Sequence, residues 1–353
     1  MGLARIIDAC LDLAWYRRQL GNAKECDHHK SVVQLQCFLL LCDVEPIIAL
    51  AVDQMPPSVR SSICTYLLLV HCLSATQNDE TMTLDAKGKV FSEFPRYLQD
   101  PNSFYGKNSC ELELMGEAMW HFDLLLSEFQ CIESHLQAII LEGVARTAEG
   151  LADLLKRFSL RTAAEYNLYC HFHGGLHWIV LMKMVAAAGR LEYPYLANEV
   201  HLCNSAGLLL AKTRVIAEFT TVANPNRSPL PREYWEIYCE GELAELLNPD
   251  KGIATRFFVN HMILDAMRHI PDIFHLLSRL ESPLVFRLLA IPQLEDPTSG
   301  QMLALLSQLE MVCSRTRNRS LVLIPWQLSL GVTVELLALA LLGAVLSIIV
   351  SVR

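Results

Sequence analysis

From Ser31 to Leu280 the apolar residues of this chain recur every three or four positions and almost nowhere alternate, which commits the backbone to helices rather than to a half-buried sheet. Hydrophobic residues make up 52% of the chain but aromatics only 8%, and the difference is largely Leu and Ala, both strong helix formers. The spacing predicts helices over 3–19, 31–42 and 45–54, where Pro56-Pro57 ends the last of them. Ser58 caps the next, which runs to Leu73. Residues 74–85 are polar and end irregularly, and 93–107, with Pro95, Pro101, Asn102 and Gly106, reads as a surface loop. One long helix is expected from Glu111 to Glu149 and a short one from Gly150 to Phe158. Longer ones follow over 163–188, 199–221 and 252–280, the last broken near Pro271, and short ones over 243–247, 286–291 and 302–312 complete the set. The expected architecture is all-α, with one helical domain over residues 1–313 and a basic linker and membrane anchor over 314–353.

A net charge of −9 with no clustered Lys and Arg excludes a nucleic-acid partner, whose binding depends on counterion release by basic patches. Twelve cysteines without a CxxC pair read as buried small hydrophobes in a reducing compartment. At the other extreme, no charge interrupts Leu336 to Val352, a run that would rise about 25 Å as a helix. With apolar residues before Glu335 joining it, the run is long enough to span a bilayer. Arg315, Arg317 and Arg319 just upstream belong on the cytosolic side. The expectation is a protein anchored through its C-terminal helix in the endoplasmic reticulum membrane, with its helical domain facing the cytosol.

The chemistry concentrates between Leu160 and Val222. Tyr169, His173 and His177 are spaced by four and share one face of one helix. Imidazoles on that face can donate a hydrogen bond or act as acid or base near neutral pH. His173 and His177 lack a third ligand at a convincing spacing, so no metal is expected on them. On the following helix Asn204, Leu208, Ala211, Val215, Glu218 and Val222 run down one side, and Lys212 and Arg214 offer either an anion site or structural charges. Glu218 is read two ways, as the partner of Arg214 or as an acid whose pKa is raised in an apolar cavity.

Several segments carry a resemblance. Tyr169-Cys170-His171-Phe172-His173-Gly174-Gly175-Leu176 and Asn204-Ser205-Ala206-Gly207-Leu208-Leu209-Leu210-Ala211-Lys212-Thr213 are similar to signatures of the squalene and phytoene synthase family. Leu230 to Trp235, His269-Ile270-Pro271-Asp272 and Ala290-Ile291-Pro292-Gln293 follow in the family's order. The resemblance, over roughly Cys37 to Gln293, implies the class I terpenoid synthase fold, with helices around a central cavity. It also implies condensation of two farnesyl diphosphates, assisted by magnesium on two aspartate-rich motifs, and reduction by NADPH. The residue at the place of Tyr169 handles protons in the family, which puts His173 in the cavity as well.

This chain departs from that pattern where the ions would bind. The first motif reads Leu73-Ser74-Ala75-Thr76-Gln77-Asn78-Asp79-Glu80-Thr81, with Ser74 and Asn78 at the ligand positions and His71 in place of an arginine. The second reads Ala217-Glu218-Phe219-Thr220-Thr221-Val222, with Val222 at a ligand position. The basic stretch associated with NADPH is missing after Gln293. The preferred expectation is therefore a metal-independent cyclase or isomerase, of the pericyclic or Diels-Alder type, acting on a long apolar polyene. It assigns catalysis to Tyr169, His173 and Glu218. Substrate contacts fall to His71, Ser74, Asn78, Phe172, His177, Asn204, Leu208, Ala211, Lys212, Val215 and Val222. No cofactor is expected, neither NADPH nor, on this reading, magnesium. One alternative is a residual prenyltransferase using Asp79, Glu80 and Glu218 for a displaced magnesium; the other is a non-catalytic membrane-anchored partner of an isoprenoid enzyme.

Overall fold

A computed structural model of the protein describes residues 32–105, 121–157, 159–219, 223 and 228–295. The predicted helices at 3–19 and 302–312 and the anchor at 314–353 lie outside the described residues.

Helices α1 (Val32–Val44), α2 (Pro46–Asp53) and α3 (Pro57–Asn78) open the domain. Proline at the first position of α2 and α3 starts each without wasting a donor. By length and composition α3 could cross a membrane, but 72% of its apolar window is buried inside the domain, so here it is the core helix. It packs against α7 (Ser134–Leu155), α6 (Phe122–Cys131), α1 and α9 (Leu176–Ala187). Between them run α4 (Leu84–Gln99), α5 (Asn102–Tyr105) and α8 (Ala163–Cys170). The second half consists of α10 (Val200–Ala217), α11 (Arg232–Trp235), α12 (Gly252–Met267), α13 (Ile270–Ser278) and α14 (Pro283–Glu295).

Among the described residues the architecture is all-helical; the one extended pairing is an isolated bridge between Ser159 and Ser228. Four local expectations fail. Helix α3 starts at Pro57 with Pro56 at its N-cap, so Ser58 does not cap it, and it runs past Leu73 to Asn78. The stretch at 93–107 is helical for most of its length, because α4 runs through Pro95. Thr83 caps this helix by accepting from the Ala86 N–H, and burial of Phe91, Phe94, Tyr97 and Leu98 offsets the missing hydrogen bond of an internal proline. The single helix expected from Glu111 to Glu149 is divided at Ile132 and Glu133, where the chain turns extended. Its second part continues past Gly150 to Leu155, absorbing the separate short helix expected there.

Two buried clusters result. The larger is built on α1, α3, α4, α6, α7 and α9, and the smaller joins the C-terminal half of α10 to α8, α11 and α12. The eight described cysteines are all free, and six of them are buried, as expected of small core hydrophobes.

Candidate functional site

The site is organised by the helix that begins at Ala163. Thr162 and Glu165 close a reciprocal capping box, fixing its start. Between α8 and α9 the residues His171–Gly175 form a π-helical turn, a local widening that recurs at functional sites. Glycine explains how the turn meets α10: a Cβ on Gly174 would lie 2.4 Å from the Gly207 carbonyl oxygen, and one on Gly207 equally close to Gly174 backbone atoms. The two backbones therefore touch with no side chain between them. One turn away, the His171 Nδ1 and the Asn204 side-chain amide are hydrogen-bonded at 2.6 Å.

Two ring pairs lie along this scaffold. The rings of Tyr169 and His173 lie 4.2 Å apart and tilted by 36°, as the spacing of four predicts. His177, one turn on, meets the buried Tyr66 of α3 edge-on at 6.2 Å. Its Nε2 is sealed from solvent without a hydrogen-bond partner. Burial, reinforced by His173, Arg214 and His171, pushes its pKa down to about 3, the Phe172 carbonyl working the other way. His177 is thus a neutral acceptor at physiological pH. His71 of α3 is shifted in the same direction, by burial first, with the opposed influences of Glu45 and Arg214 following. Arg214 makes a two-pronged contact with Glu45, at 3.1 and 3.2 Å, tying the end of α10 to the start of α2.

These shifts set a pH dependence. An unfolded histidine takes up a proton near pH 6.5, whereas folded His177 resists until about 3, so the unfolded state binds more protons in between. Stability is complete above about pH 6.5 and falls as the pH drops toward 3. His269, held at about 4 by burial and by Lys212, adds to the same slope. Urea unfolding midpoints between pH 7.5 and 4.5 should fall steadily, and His177→Phe should flatten part of that fall; an unchanged slope would remove His177 from the account.

Several assigned residues stand elsewhere. Glu218 is exposed at the C-cap of α10, so it is neither a buried acid nor the partner of Arg214, whose guanidinium is on Glu45. Lys212 is 1% exposed, and its ammonium pairs with Asp265 at 2.6 Å above the Tyr166 ring; its charge is consumed inside the protein rather than offered to a ligand. Leu208, Ala211 and Val215 pack into the smaller cluster. Phe172 fills the notch over Gly150, where a Cβ would lie 2.2 Å from its ring. Asn204 is engaged by His171. Ser74 is half-buried on α3, Asn78 is exposed at its end, and Val222 lies outside the described residues.

The sequence reading missed the polar network between α10, α12 and α13. Ser205 donates to Asp272 at 2.7 Å, with the His269 ring 3.4 Å from the same hydroxyl. Asp265 also receives Arg268 at 3.6 Å. One signal was available: Asp265 interrupts the apolar run Met262-Ile263-Leu264-Asp265-Ala266-Met267, and a carboxylate there must have a buried partner.

Magnesium calls for hard, mostly carboxylate oxygens. The described part of the two motif helices offers a hydroxyl, an amide and an exposed Glu218, while Asp79 caps α3 and accepts from the N–H and hydroxyl of Thr81. No group of three or more His, Cys, Asp or Glu among the described residues is placed to hold a metal ion. Among the described residues, this donor set is poorer in carboxylates than a magnesium cluster calls for.

A family model for squalene/phytoene synthase matches residues 46–295. The chain belongs to the squalene/phytoene synthase family. Botryococcus squalene synthase of Botryococcus braunii is 28% identical over 260 residues, covering 73% of this chain and 55% of that protein. Lycopaoctaene synthase of the same organism is 27% identical, over 73% and 57% of the two chains. Human squalene synthase is 26% identical, over 73% and 60%. The chain thus spans less than two thirds of the length of these relatives. Among solved structures, TcSQS in complex with a ligand superposes with a TM-score of 0.68 at 26% identity, covering 76% of this chain and 78% of that one. A dehydrosqualene synthase, 14% identical with a TM-score of 0.53 over 74% and 84% of the two chains, shares the fold. The family and the terpenoid synthase fold implied by the motifs are both borne out.

Proposed function

We propose that this member of the squalene/phytoene synthase family binds a long apolar isoprenoid or polyene chain and cyclises or isomerises it without magnesium-assisted loss of diphosphate. One observation carries the reading. Where the resemblance implies carboxylates, this chain presents the Tyr169–His173 ring pair, a His177 imidazole that burial keeps neutral, and a Glu45–Arg214 ion pair. Such a lining suits a substrate whose head group is uncharged. Tyr169 and His173, in ring contact, supply one donor and one acceptor for moving a proton between two carbons of an extended chain or for polarising a carbonyl. Held in one folded shape, the chain would gain further rate from proximity alone.

The prenyltransferase reading draws on the relatives, several of which are named squalene synthases. The two readings part on one experiment. Purified protein incubated with farnesyl diphosphate should release no pyrophosphate above background, with magnesium or without. Magnesium-dependent release would overturn the proposal in favour of a prenyltransferase. In parallel, wild-type protein incubated with an apolar extract of its own cells should convert one component to an isomer of equal mass, read by mass spectrometry.

A further inference from the structure

Helix α12 turns an unusual face to the outside. Ile253, Phe257 and Leu264 are 73%, 59% and 47% exposed. At about 100° per residue they fall within roughly 40° of one another, with Asn260 and Met267 in the same stripe. The exposed Arg256 and Arg268 flank the stripe at about 60° on either side. No carboxylate shares this arc. Asp265 lies outside it, 4% exposed and held by Lys212; Arg268 reaches its other oxygen only at 3.6 Å and keeps 75% of its side chain exposed. The opposite side of the helix is fixed, because Phe258, Met262 and Ala266 are buried in the domain. The exposed stripe is therefore not an accident of a poorly packed helix.

We infer that this face of α12 docks on the surface of an anionic lipid bilayer. An apolar centre rimmed by arginines is what a helix lying in a membrane interface requires, its side chains entering the acyl boundary while the guanidinium groups meet lipid phosphates. The local charge stands against the chain's overall −9, which would repel such a surface elsewhere. The chain outside the described residues adds a second argument. Leu336 to Val352 is a charge-free apolar run, and the stretch linking it to Glu295 is long enough, at about 3.3 Å per extended residue, to let this face reach the bilayer that such a run would enter. Docking here would also bring a greasy substrate to the domain without passage through water. The inference does not depend on which reaction the site performs.

The test uses the full chain reconstituted in phosphatidylcholine vesicles containing phosphatidylserine, with a benzophenone amino acid in place of Phe257. After irradiation, lipid adducts at this position should exceed those from the same probe at the exposed Glu149 of α7 at least fivefold. Combining the probe with Arg256→Gln and Arg268→Gln should cut the yield about threefold when phosphatidylserine is present and leave it unchanged in pure phosphatidylcholine. Equal yields at the two positions, a cross-link to a second copy of the chain, or no response to the arginine changes would overturn the inference. Should the probe at Phe257 prevent folding, the same measurement is made at Leu264.

Discussion

Replacing Lys212 with Met is expected to lower the unfolding free energy by about 3–5 kcal/mol, the cost of leaving a buried carboxylate unpaired. Lys212 and Asp265 are 1% and 5% exposed at the side chain, and their 2.6 Å contact joins α10 to α12. Arg268 lies 3.6 Å from the other carboxylate oxygen, but it is 75% exposed and contributes little. At roughly 2–4 °C per kcal/mol for a domain of this size, the thermal midpoint should drop by about 6–20 °C. The double variant Lys212→Met, Asp265→Leu should recover much of the loss, because removing both charges also removes their desolvation. Calorimetry on the single and double variants decides the matter. A double variant no better than the single one would mean that the pair is not what the helices depend on here.

The second large effect falls on turnover. Tyr169→Phe keeps the ring contact with His173 and removes only the hydroxyl, whereas His173→Ala removes the imidazole. Each should slow conversion of the component identified in the extract assay by about 10²–10⁴-fold, the usual contribution of a positioned acid or base. Retention of that component by the variant proteins should change little. Single-turnover rates and equilibrium binding, measured side by side, separate the two. Full activity in both variants would point to a reaction driven by shape alone, or to a protein that binds without catalysing.

Much of this was legible in the sequence because helical spacing reports a buried face. Tyr169 and His173 met as predicted, since residues four apart on one helix must. The same reasoning decides less for α10, for a physical reason. A surface helix has one buried face, but α10 packs against the π-helical turn and α9 on one side and against α12 and α13 on others, so most of its length is buried. Periodicity finds its stripes and cannot say which of them faces a ligand. Leu208, Ala211 and Val215 pack into the smaller cluster, and Lys212 is spent on Asp265. Glu218 failed differently: it lies at the helix end, where the last turn carries it outward. The usual local effect of Pro95 is overridden by the buried face of its helix, which carries Phe91, Phe94, Tyr97 and Leu98.

The contact between Gly174 and Gly207 bears on how such a site could change its chemistry. With carbonyl and peptide atoms meeting directly, the separation of the two central helices is set by backbone alone, as by a mechanical stop. Side chains elsewhere along the pair can then be exchanged without resetting the distance across which they act. A lineage could thus lose charged ligands at the far ends of these helices while the middle kept its gauge. The least chemically expressive residues in the chain are the ones that hold its geometry constant.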